Sequence, residues 1–391
     1  MKSVKYVMFL MVHMQHLKKL ATGPIYLGID AITADCRLNP LEYNYLSEED
    51  YKNLDERVTP VENDIVFSYE ATLGRYAMIP ANFYGCLGRR LALIRVKDNR
   101  INPTWLYYYF MSPEWKVFIA NHTVKGSTVD RISVEAFPSY KIPSIERQKQ
   151  DDIVKILKSI DDRIENNKRI CSELEAMAKS LYDYWFVQFD FPDENGRPYR
   201  TSGGAMEWND QLKQEIPNGW KVMRICDIAD LYQPKTLSGS DMVENGLYNV
   251  YGANGIIGKY NSYNHENRTI AITCRGASCG NFLMTLPKSW ITGNAMVVSP
   301  HAEISQEYLY YTLSKDRISP FITGSAQPQI TRENLSNLLV VIADEKNMTA
   351  FSTFSDVVRS KIESSVSENE ELTKLRDWLL PMLMNGQAKV E

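Results

Sequence analysis

The sequence predicts an α+β protein in which two similar bodies of mixed helices and strands are separated by two long antiparallel helices. Three observations predict this fold class: a heptad pattern of apolar residues in the middle of the chain, a second such pattern near its end, and a constant spacing of 198 residues between them. An internal repeat determines the architecture because each copy folds as the same structural unit. We therefore expect a coiled coil and an internal pseudo-twofold axis.

The first long helix is predicted over residues 145–187. Apolar residues recur there at alternating steps of four and three, which is the seam of a coiled coil, and neither glycine nor proline interrupts it. Asn167 is the polar residue of one layer, and such a residue fixes the register of two helices. The other layers are Ile153, Leu157, Ile160, Ile164, Cys171, Leu174, Ala178, Leu181 and Trp185. A single amphipathic helix on a globular core is the alternative interpretation.

The second long helix is predicted over residues 342–391, and it repeats the first seam without a gap. The residue 198 positions after Ile153 is Phe351. The residue 198 positions after Ala178 is Arg376, and Leu375 precedes it. We therefore expect the two long helices to pair with each other. We expect the contact between the helices to be made by Ile153, Leu157, Ile160, Ile164, Leu174, Leu181, Val358, Ile362, Leu372 and Leu379.

The first body comprises residues 1–144. Apolar alternation bounded by turn residues predicts strands at residues 64–68, 74–80 and 91–96. Asn102 followed by Pro103 is typical of a helix start, and the aromatic run after it predicts a short helix. Residues 6–12 are predicted as a buried strand or a displaced start, because no small-residue cleavage site of a signal peptide follows them.

The second body, residues 216–341, follows the same order. Strands are predicted near residues 269–273 and 295–298, and an aromatic helix near residues 304–311. Gly324-Ser325 lies 198 residues after Gly126-Ser127, so the repeat covers the bodies as well as the helices. Residues 188–215 are rich in turn-forming residues and are predicted to be a linker.

Charge is distributed unevenly along the chain, whose net charge is −4. The bodies carry +2 (residues 1–144) and +1 (216–341), and the helical segments carry −4 (145–215) and −3 (342–391). The bodies can therefore hold local basic clefts. The six cysteines show no metal-ligand spacing, and no apolar run is long enough for a membrane helix, so we expect a cytoplasmic protein with reduced thiols.

Sequence motifs for catalysis are weak. Residues 252–259 resemble a phosphate loop, but Ala253 replaces a glycine and Tyr260 replaces the hydroxyl that would bind magnesium. No glycine-rich cofactor loop follows a strand, and the isolated histidines His122 and His301 do not indicate a catalyst. We expect no catalytic residue and no metal site in this chain.

Features of a binding protein are better represented. Asparagines and tyrosines are concentrated between Asn249 and Asn264, in glycine-rich sequence. Asn and Gln read adenine edges with two hydrogen bonds, Arg reads guanine, and glycine lets backbone amides approach phosphate. Turn formation explains the same composition, because Asn and Gly are common in turns. Taken alone, the composition favours turn formation over base reading.

Several motifs resemble the specificity subunit of type I restriction-modification enzymes. Residues 181–192 (LYDYWFVQFDFP), 195–199 (NGRPY), 202–204 (SGG) and 216–220 (IPNGW) are similar to the central region of that family. Residues 248–258 (YNVYGANGIIG) are similar to one class of its target recognition domains. The resemblance covers nearly the whole chain.

The resemblance implies two target recognition domains, each reading one half of a split site in double-stranded DNA. It also implies that methyltransferase (modification) subunits dock on the long helices and that restriction subunits, which are nucleases and translocases, join the complex. The specificity subunit of this family performs no chemistry. S-adenosylmethionine, ATP and Mg²⁺ are therefore expected on the partner subunits, where adenine is flipped and methylated, and not on this chain.

The sequence departs from the family pattern at its front. The second body opens with Trp220-Lys221-Val222, which is the usual entry of the family, but no such opening precedes residues 23–28. We expect the first body to lack this lead-in, and with it an edge strand.

Position in the repeat predicts DNA-contacting residues at equivalent places in the two bodies. In the first body they are Tyr69, Arg75, Arg89, Arg90, Lys125 and Ser127. In the second body they are Asn254, Lys259, Arg275, Asn294, Gln327 and Gln329. A structural turn or a surface ion pair explains any one of them as well.

Two other functions are open on the sequence alone. One is a stand-alone or truncated DNA-binding specificity fragment, such as a phase-variation cassette. The other is a coiled-coil adaptor protein whose bodies bind carbohydrate or protein.

Overall fold

The computed structural model describes residues 6–10, 20–54, 58–126, 129–252, 255–324 and 326–388. Contacts divide the chain into two compact units: unit 1 comprises residues 1–165 and 368–391, and unit 2 comprises residues 166–367. Each long helix therefore contributes residues to both units. This division differs from the predicted bounds, in which the helices were segments separate from the bodies.

Short strands and helices build the first body. In chain order they are β1 (Tyr6–Leu10), β2 (Leu20–Leu27), β3 (Asn44–Tyr45), α1 (Glu48–Leu54), β4 (Ile65–Ser68), β5 (Tyr76–Met78), β6 (Gly85–Leu87), β7 (Leu91–Val96), α2 (Pro103–Met111), α3 (Pro113–Asn121), β8 (Thr123–Val124) and β9 (Arg131–Ile132). The first long helix, α4 (Arg147–Tyr182), follows and ends in a π-helical turn over Asp183–Val187.

The linker and the second body continue the chain. Their elements are β10 (Met206–Asn209), β11 (Gln214–Pro217), β12 (Lys221–Arg224), α5 (Ile225–Ile228), β13 (Ala229–Tyr232), β14 (Tyr248–Gly252), β15 (Gly255–Tyr260), β16 (Ile270–Thr273), β17 (Phe282–Met284), β18 (Trp290–Ile291), β19 (Ala295–Pro300), α6 (Gln306–Thr312), α7 (Lys315–Ile318), α8 (Arg332–Leu335) and β20 (Leu339–Ile342). The second long helix, α9, spans Glu345–Met384. None of the described helices is both long and apolar enough to span a membrane.

The two bodies have the same sheet topology. A four-stranded antiparallel sheet has the order β1-β7-β4-β5 in unit 1 and β13-β19-β16-β17 in unit 2. A three-stranded sheet has the order β3-β2-β6 in unit 1 and β15-β14-β18 in unit 2, each with one antiparallel and one parallel pairing. The α+β class and the internal repeat predicted from the sequence are therefore confirmed.

The first body has an edge strand, contrary to expectation. β1 pairs antiparallel with β7, from Tyr6 opposite Val96 to Leu10 opposite Ala92. It takes the place that β13 holds beside β19. The expected loss of an edge strand is therefore wrong for the four-stranded sheet, whose edge is formed by the strand predicted within residues 6–12, because strand pairing uses backbone groups and does not need the lead-in sequence. That lead-in forms β12 in unit 2, where it pairs with β20; the described residues of unit 1 have no counterpart of this pair.

Side-chain caps begin the aromatic helices of both bodies. The Asn102 side chain accepts hydrogen bonds from the backbone N–H groups of Thr104 and Trp105, as the Asn-Pro pair predicts. Ser305 caps α6 in the same way, by accepting a hydrogen bond from the Tyr308 N–H. The equivalent residues Trp105 and Tyr308 are completely buried, so each helix is anchored in the core of its body.

Within each unit the segments of α4 and α9 run antiparallel. In unit 1, Arg163 Nε donates to Glu368 Oε1 at 2.9 Å, and the earlier residue Asp161 contacts the later residue Arg376. From the first contact to the second, the residue number falls on α4 (163 to 161) and rises on α9 (368 to 376). The two helices therefore run in opposite directions.

Unit 2 shows the same order of contacts. Cys171 Sγ lies 3.9 Å from the carbonyl oxygen of Ile362, and Glu175 Oε1 accepts a hydrogen bond from Arg359 Nη1 at 2.7 Å. The predicted antiparallel pairing is thus present in both units.

The predicted seam residues are largely buried. Less than one tenth of the residue surface is exposed at Ile153, Leu157, Ile160, Ile164, Val358 and Ile362. Intermediate exposure is found at Leu174, Leu181, Leu372 and Leu379. Asn167 and Ser365, which occupy equivalent positions, are each 2% exposed. Near the end of α9, Arg376 faces inwards instead of Leu375, and Leu380 is buried more deeply than Leu379.

Candidate nucleic-acid interface

Three loops meet at one end of the four-stranded sheet of unit 1. β4 ends at Ser68, and the next residue, Tyr69, joins the other two loops through its backbone. Its N–H donates to the carbonyl oxygen of Arg90 at 3.1 Å, and its carbonyl oxygen accepts from the N–H of Ile132 at 2.8 Å. The surface formed by residues 69–75, 88–90, 125–126 and 129–131 is site 1.

Site 1 presents several cationic side chains. Arg90 Nε lies 3.2 Å from Glu70 Oε1, and Lys125 Nζ lies 2.7 Å from Asp130 Oδ2. The Arg89 side chain is exposed and makes no hydrogen bond or ion pair with the residues that the structure describes. The pair between Lys125 and Asp130 is exposed, and such pairs contribute little stability, so Lys125 can exchange its partner for phosphate at low cost.

Two other predicted residues of site 1 have contacts within the body. Arg75 Nη1 donates a hydrogen bond to the carbonyl oxygen of Ile32 at 2.9 Å, which ties the guanidinium to the body. Burial raises the pKa of the Tyr69 hydroxyl, Glu70 adds to the rise, and two neighbouring arginines oppose it. Tyr69 therefore stays protonated at neutral pH and keeps a hydrogen-bond donor.

Unit 2 carries an equivalent surface. Arg275 and Gln329 stand opposite each other as bridge residues, and the N–H of Gly276 donates to the carbonyl oxygen of Pro328 at 3.0 Å. The N–H of Cys274 donates to the carbonyl oxygen of Asn294 at 3.2 Å. The surface formed by residues 275–280, 292–294, 323–324 and 326–329 is site 2, and the loops that build it are equivalent to those of site 1.

Site 2 is rich in amides. Its exposed side chains include Arg275, Asn294, Gln327 and Gln329, so the structure brings four of the predicted residues together. Lys259 lies elsewhere in the body, on β15 opposite Asn249. Two predicted residues, Ser127 and Asn254, lie outside the described part of the chain.

A glycine shapes the third loop of each site. A Cβ atom at Gly126 would lie 2.1 Å from the carbonyl oxygen of Val129. A Cβ atom at Gly324, where φ is +86°, would lie 2.5 Å from the carbonyl oxygen of Gln327. Only glycine fits such close backbone approaches. The Gly-Ser pairs that mark the repeat in the sequence therefore include a glycine required by the loop.

Sequence reasoning missed Arg131 as a candidate residue. Arg131 is exposed at the start of β9, and its backbone stands opposite that of Glu70 within site 1. It lies 198 residues before Gln329, so the repeat spacing applied to the second body identifies it.

A pocket of about 390 Å³ adjoins site 1. Its lining includes Tyr76, Trp115, Lys116 and Lys125. Trp115 Nε1 donates a hydrogen bond to the Tyr76 hydroxyl oxygen at 2.8 Å, and burial raises the pKa of that hydroxyl. Both rings are almost completely buried, whereas the Lys116 and Lys125 side chains are exposed, so the accessible groups of this pocket are ammonium groups that suit phosphate.

A metal centre is not part of either site as described. Among the residues with described positions, no group of three or more His, Cys, Asp or Glu residues is placed to hold a metal ion.

Comparisons with known proteins give one consistent similarity. The chain matches the family model of the type I restriction modification DNA specificity domain over residues 26–176 and 217–374. The type I restriction enzyme MjaIX specificity subunit of Methanocaldococcus jannaschii is 23% identical, over 73% of this chain and 69% of the relative. The HindI specificity subunit of Haemophilus influenzae is 22% identical, over 80% of this chain and 84% of the relative.

A solved structure shares the fold. The crystal structure of a type I restriction-modification system S subunit from M. genitalium aligns with a TM-score of 0.55 over 97% of this chain and 96% of that chain, at 18% sequence identity.

Proposed function

The chain belongs to the family of type I restriction-modification DNA specificity proteins, and from this membership we propose that it recognises a specific two-part sequence in double-stranded DNA. Unit 1 reads one part through site 1, and unit 2 reads the other part through site 2. The observation that carries this proposal is the repetition of one surface, built from the same three loops, in both units.

The chemistry of the two sites supports DNA as the ligand. Site 1 offers the guanidinium and ammonium groups of Arg89, Arg90, Lys125 and Arg131, which suit phosphates and guanine edges. Site 2 offers one guanidinium and three amides, and a side-chain amide can form two hydrogen bonds with adenine.

The long helices provide the surface for partner proteins in this proposal. Methyltransferase subunits bind to α4 and α9, and restriction subunits join that complex. Exposed apolar side chains on α9 support this role: Val357 is 69% exposed, Leu375 is 43% exposed and Trp378 is 57% exposed. Large apolar side chains left outside a core often mark protein interfaces, and tryptophan is enriched at their energetic centres.

The chain itself catalyses no reaction in this proposal. S-adenosylmethionine, ATP and Mg²⁺ bind to the partner subunits, which methylate, cleave and translocate DNA. The sequence supports this division, since the segment that resembles a phosphate loop has Tyr260 where a magnesium-binding hydroxyl is required.

Genome-wide mapping of adenine methylation, with and without this chain, tests the proposal. We expect a methylated two-part motif that disappears when the chain is deleted and returns when it is restored. The variant Gln329→Ala should relax one part of the motif and leave the other unchanged. A methylation pattern that is the same with and without the chain would exclude the proposed function.

Purification and binding distinguish the alternatives. A chain that binds DNA and elutes without a methyltransferase subunit is a stand-alone specificity fragment. A chain whose bodies show no salt-dependent binding to duplex DNA is an adaptor, because phosphate contacts make DNA affinity fall steeply with added salt.

A further inference from the structure

The hairpin formed by β14 and β15 ends beside site 2. The N–H of Thr292, in one of the loops of the site, donates to the carbonyl oxygen of Tyr251 at 3.0 Å, one residue before the end of β14. β18 leads into the same loop and pairs with β14 at this level, with Ile291 opposite Tyr251. The end of the hairpin and the loop over residues 292–294 are therefore neighbours.

A β-bulge shapes this end of the hairpin. Val250 pairs with Gly258. The next residue, Tyr251, pairs with Ile256, so Ile257 is an extra residue of β15. Bulges change the direction of a side chain and are frequent beside functional sites. The bulge is therefore a reason to ask what the side chains of β15 contact.

Two consecutive isoleucines at the bulge are both half exposed. Ile256 is 51% exposed and Ile257 is 46% exposed. Gly252 makes room for this arrangement, because a Cβ atom at that position would lie 2.9 Å from Ile257 Cδ1. We name Ile256 and Ile257 the apolar pair.

The apolar pair lies close enough to site 2 to contact the same stretch of DNA. β14 lies between β15 and β18, so two strand spacings, or about 10 Å, separate Ile256 from the loop over residues 292–294. This distance corresponds to about three base-pair steps. Asn294 is exposed in that loop, so an amide and two apolar side chains can face neighbouring base pairs.

The chemistry of the apolar pair selects one group on the base edges. Isoleucine side chains form no hydrogen bonds, and the C5-methyl group of thymine is the apolar group that a base presents in the major groove. This groove also admits a two-stranded β-ribbon, which is the form of β14 and β15. Thymine pairs with adenine, and adenine is the base that the amides of site 2 suit. Amides beside an apolar pair therefore match A·T base pairs.

We propose that Ile256 and Ile257 contact C5-methyl groups of thymine in the part of the target that unit 2 reads. This inference rests on the proposed function and adds the base type that the hairpin recognises. In unit 1 the equivalent strands, β2 and β3, are joined by residues 28–43 instead of a tight turn. The thymine contact therefore belongs to one part of the target only.

Replacement of thymine by deoxyuridine tests the proposal, since it removes the methyl group and leaves the base pair intact. The protein is the full chain with any methyltransferase subunit that copurifies, and the probes are duplexes that carry the motif found by methylation mapping. In the part of the motif that Gln329→Ala relaxes, we expect at least one uracil to weaken binding about fourfold, because burial of a methyl group is lost. The variant Ile256→Ala/Ile257→Ala should bind the thymine and uracil duplexes equally.

Two controls separate the methyl contact from other effects. The ratio of thymine to uracil affinities in the other part of the motif should be the same in the wild type and in Ile256→Ala/Ile257→Ala. Leu247→Ala removes a side chain that is 76% exposed just before β14, at the opposite end of that strand from the bulge, and it should keep the full preference for thymine. Each ratio is measured on one protein, so a general loss of stability in a variant does not change it.

Two results would overturn the proposal: equal binding of thymine and uracil duplexes by the wild type at every position of that part, or a thymine preference that survives in Ile256→Ala/Ile257→Ala. A variant that keeps the preference but loses a copurifying subunit would assign the apolar pair to a protein contact. If the double variant does not fold, Ile256→Ala alone should lower the preference, and an undiminished preference contradicts the proposal. The proposed function survives these results as long as the target binds more tightly than a scrambled duplex. Equal binding of those two duplexes would refute both.

Discussion

Arg376 and Asp161 form a buried ion pair between α9 and α4, with 3.1 Å between Arg376 Nη1 and Asp161 Oδ1 and 7% of each residue exposed. Burial opposes the charged form of Arg376, but Asp377 and Asp161 outweigh it and raise the pKa of the guanidinium. A buried pair contributes little net stability, whereas one buried charge without its partner is costly. The pair therefore fixes the register of the two helices in unit 1.

Arg376→Met is expected to lower the free energy of unfolding by about 3 kcal/mol, because Asp161 then loses one of its donors in a buried place. Chemical denaturation of the full chain, combined with hydrogen exchange of residues 147–165, measures the loss. The control is Arg163→Met, which removes the exposed pair between Arg163 and Glu368 on the same two helices and should cost less than about 1 kcal/mol. Equal losses in the two variants would show that burial of the pair does not matter.

The seam can be tested with two leucines of unit 1. Leu157 is completely buried, and Leu375 is 43% exposed. Leu157→Ala is expected to cost about 3 kcal/mol, since it leaves a cavity in the core, whereas Leu375→Ala should cost about 0.5 kcal/mol. Thermal and chemical denaturation of both variants measure the difference. A smaller cost at position 157 than at position 375 would contradict the observed orientation of the helices.

Gly324, in the third loop of site 2, can be substituted without altering any side chain that is proposed to contact DNA. Gly324→Ala forces a left-handed backbone conformation on alanine and a clash with the carbonyl oxygen of Gln327. We expect DNA affinity to fall about tenfold while far-ultraviolet circular dichroism is unchanged. Gly196→Ala is the matched control, because Gly196 also has a positive φ of +76° but no atom within 4 Å of the added carbon. Unaltered affinity in Gly324→Ala would remove this loop from the interface.

Arg89 and Gln329 should contribute to DNA binding in different ways. Arg89→Ala is expected to weaken binding to all sequences and to reduce the slope of log affinity against log salt by about 1, since a phosphate contact is lost. Gln329→Ala is expected to relax the preference at one base pair, at a cost of about 1–3 kcal/mol for the original base. Titrations with target and scrambled duplexes at several salt concentrations separate these effects. Arg197→Ala, in the linker, is the control for loss of an exposed arginine.

Asp151 is expected to make the stability of unit 1 fall at acidic pH. Its side chain accepts a hydrogen bond from Asn102 Nδ2 at 2.7 Å and another from Arg147 Nε at 2.8 Å, and these hold its pKa below the usual value. A lowered pKa stabilises the folded state above the ordinary aspartate pKa of about 4, and this contribution is lost as pH falls through the lowered value.

Asp151→Asn should therefore lower the melting temperature at pH 7 and have less effect at about pH 3, where the wild-type carboxylate is increasingly protonated. Melting curves of both proteins at the two pH values measure this. A difference that stays constant with pH would show that the charge of Asp151 is not the cause.

Local patterns in the sequence predicted much of the fold. The seam spacing identified Leu157 as a core residue, and the Asn102-Pro103 pair identified the start of α2. Both features depend on residues close together in the chain. The repeat added long-range information, because a body whose second copy has the same order of strands must fold in the same way.

Other features depend on contacts that no local pattern contains. Arg37 and Asp161 are 124 positions apart, so nothing near either residue indicates their pairing. The pairing of β1 with β7 is a backbone contact and leaves little trace in the side-chain pattern. Position in the repeat predicts Lys259 as a DNA-contacting residue, but its strand belongs to the smaller sheet of the second body, away from the three loops of site 2.

The division of the chain also governs folding during synthesis. Unit 2 is one continuous stretch, residues 166–367, whereas unit 1 combines residues 1–165 with residues 368–391. Leu380 and Leu383 belong to the same apolar cluster as Trp105 and Leu157. Since the ribosome extends the chain from the N-terminus, unit 2 has all its residues before unit 1 does. The body that is translated first must wait for the last turns of α9 to emerge, and until then its apolar surface is open to chaperones.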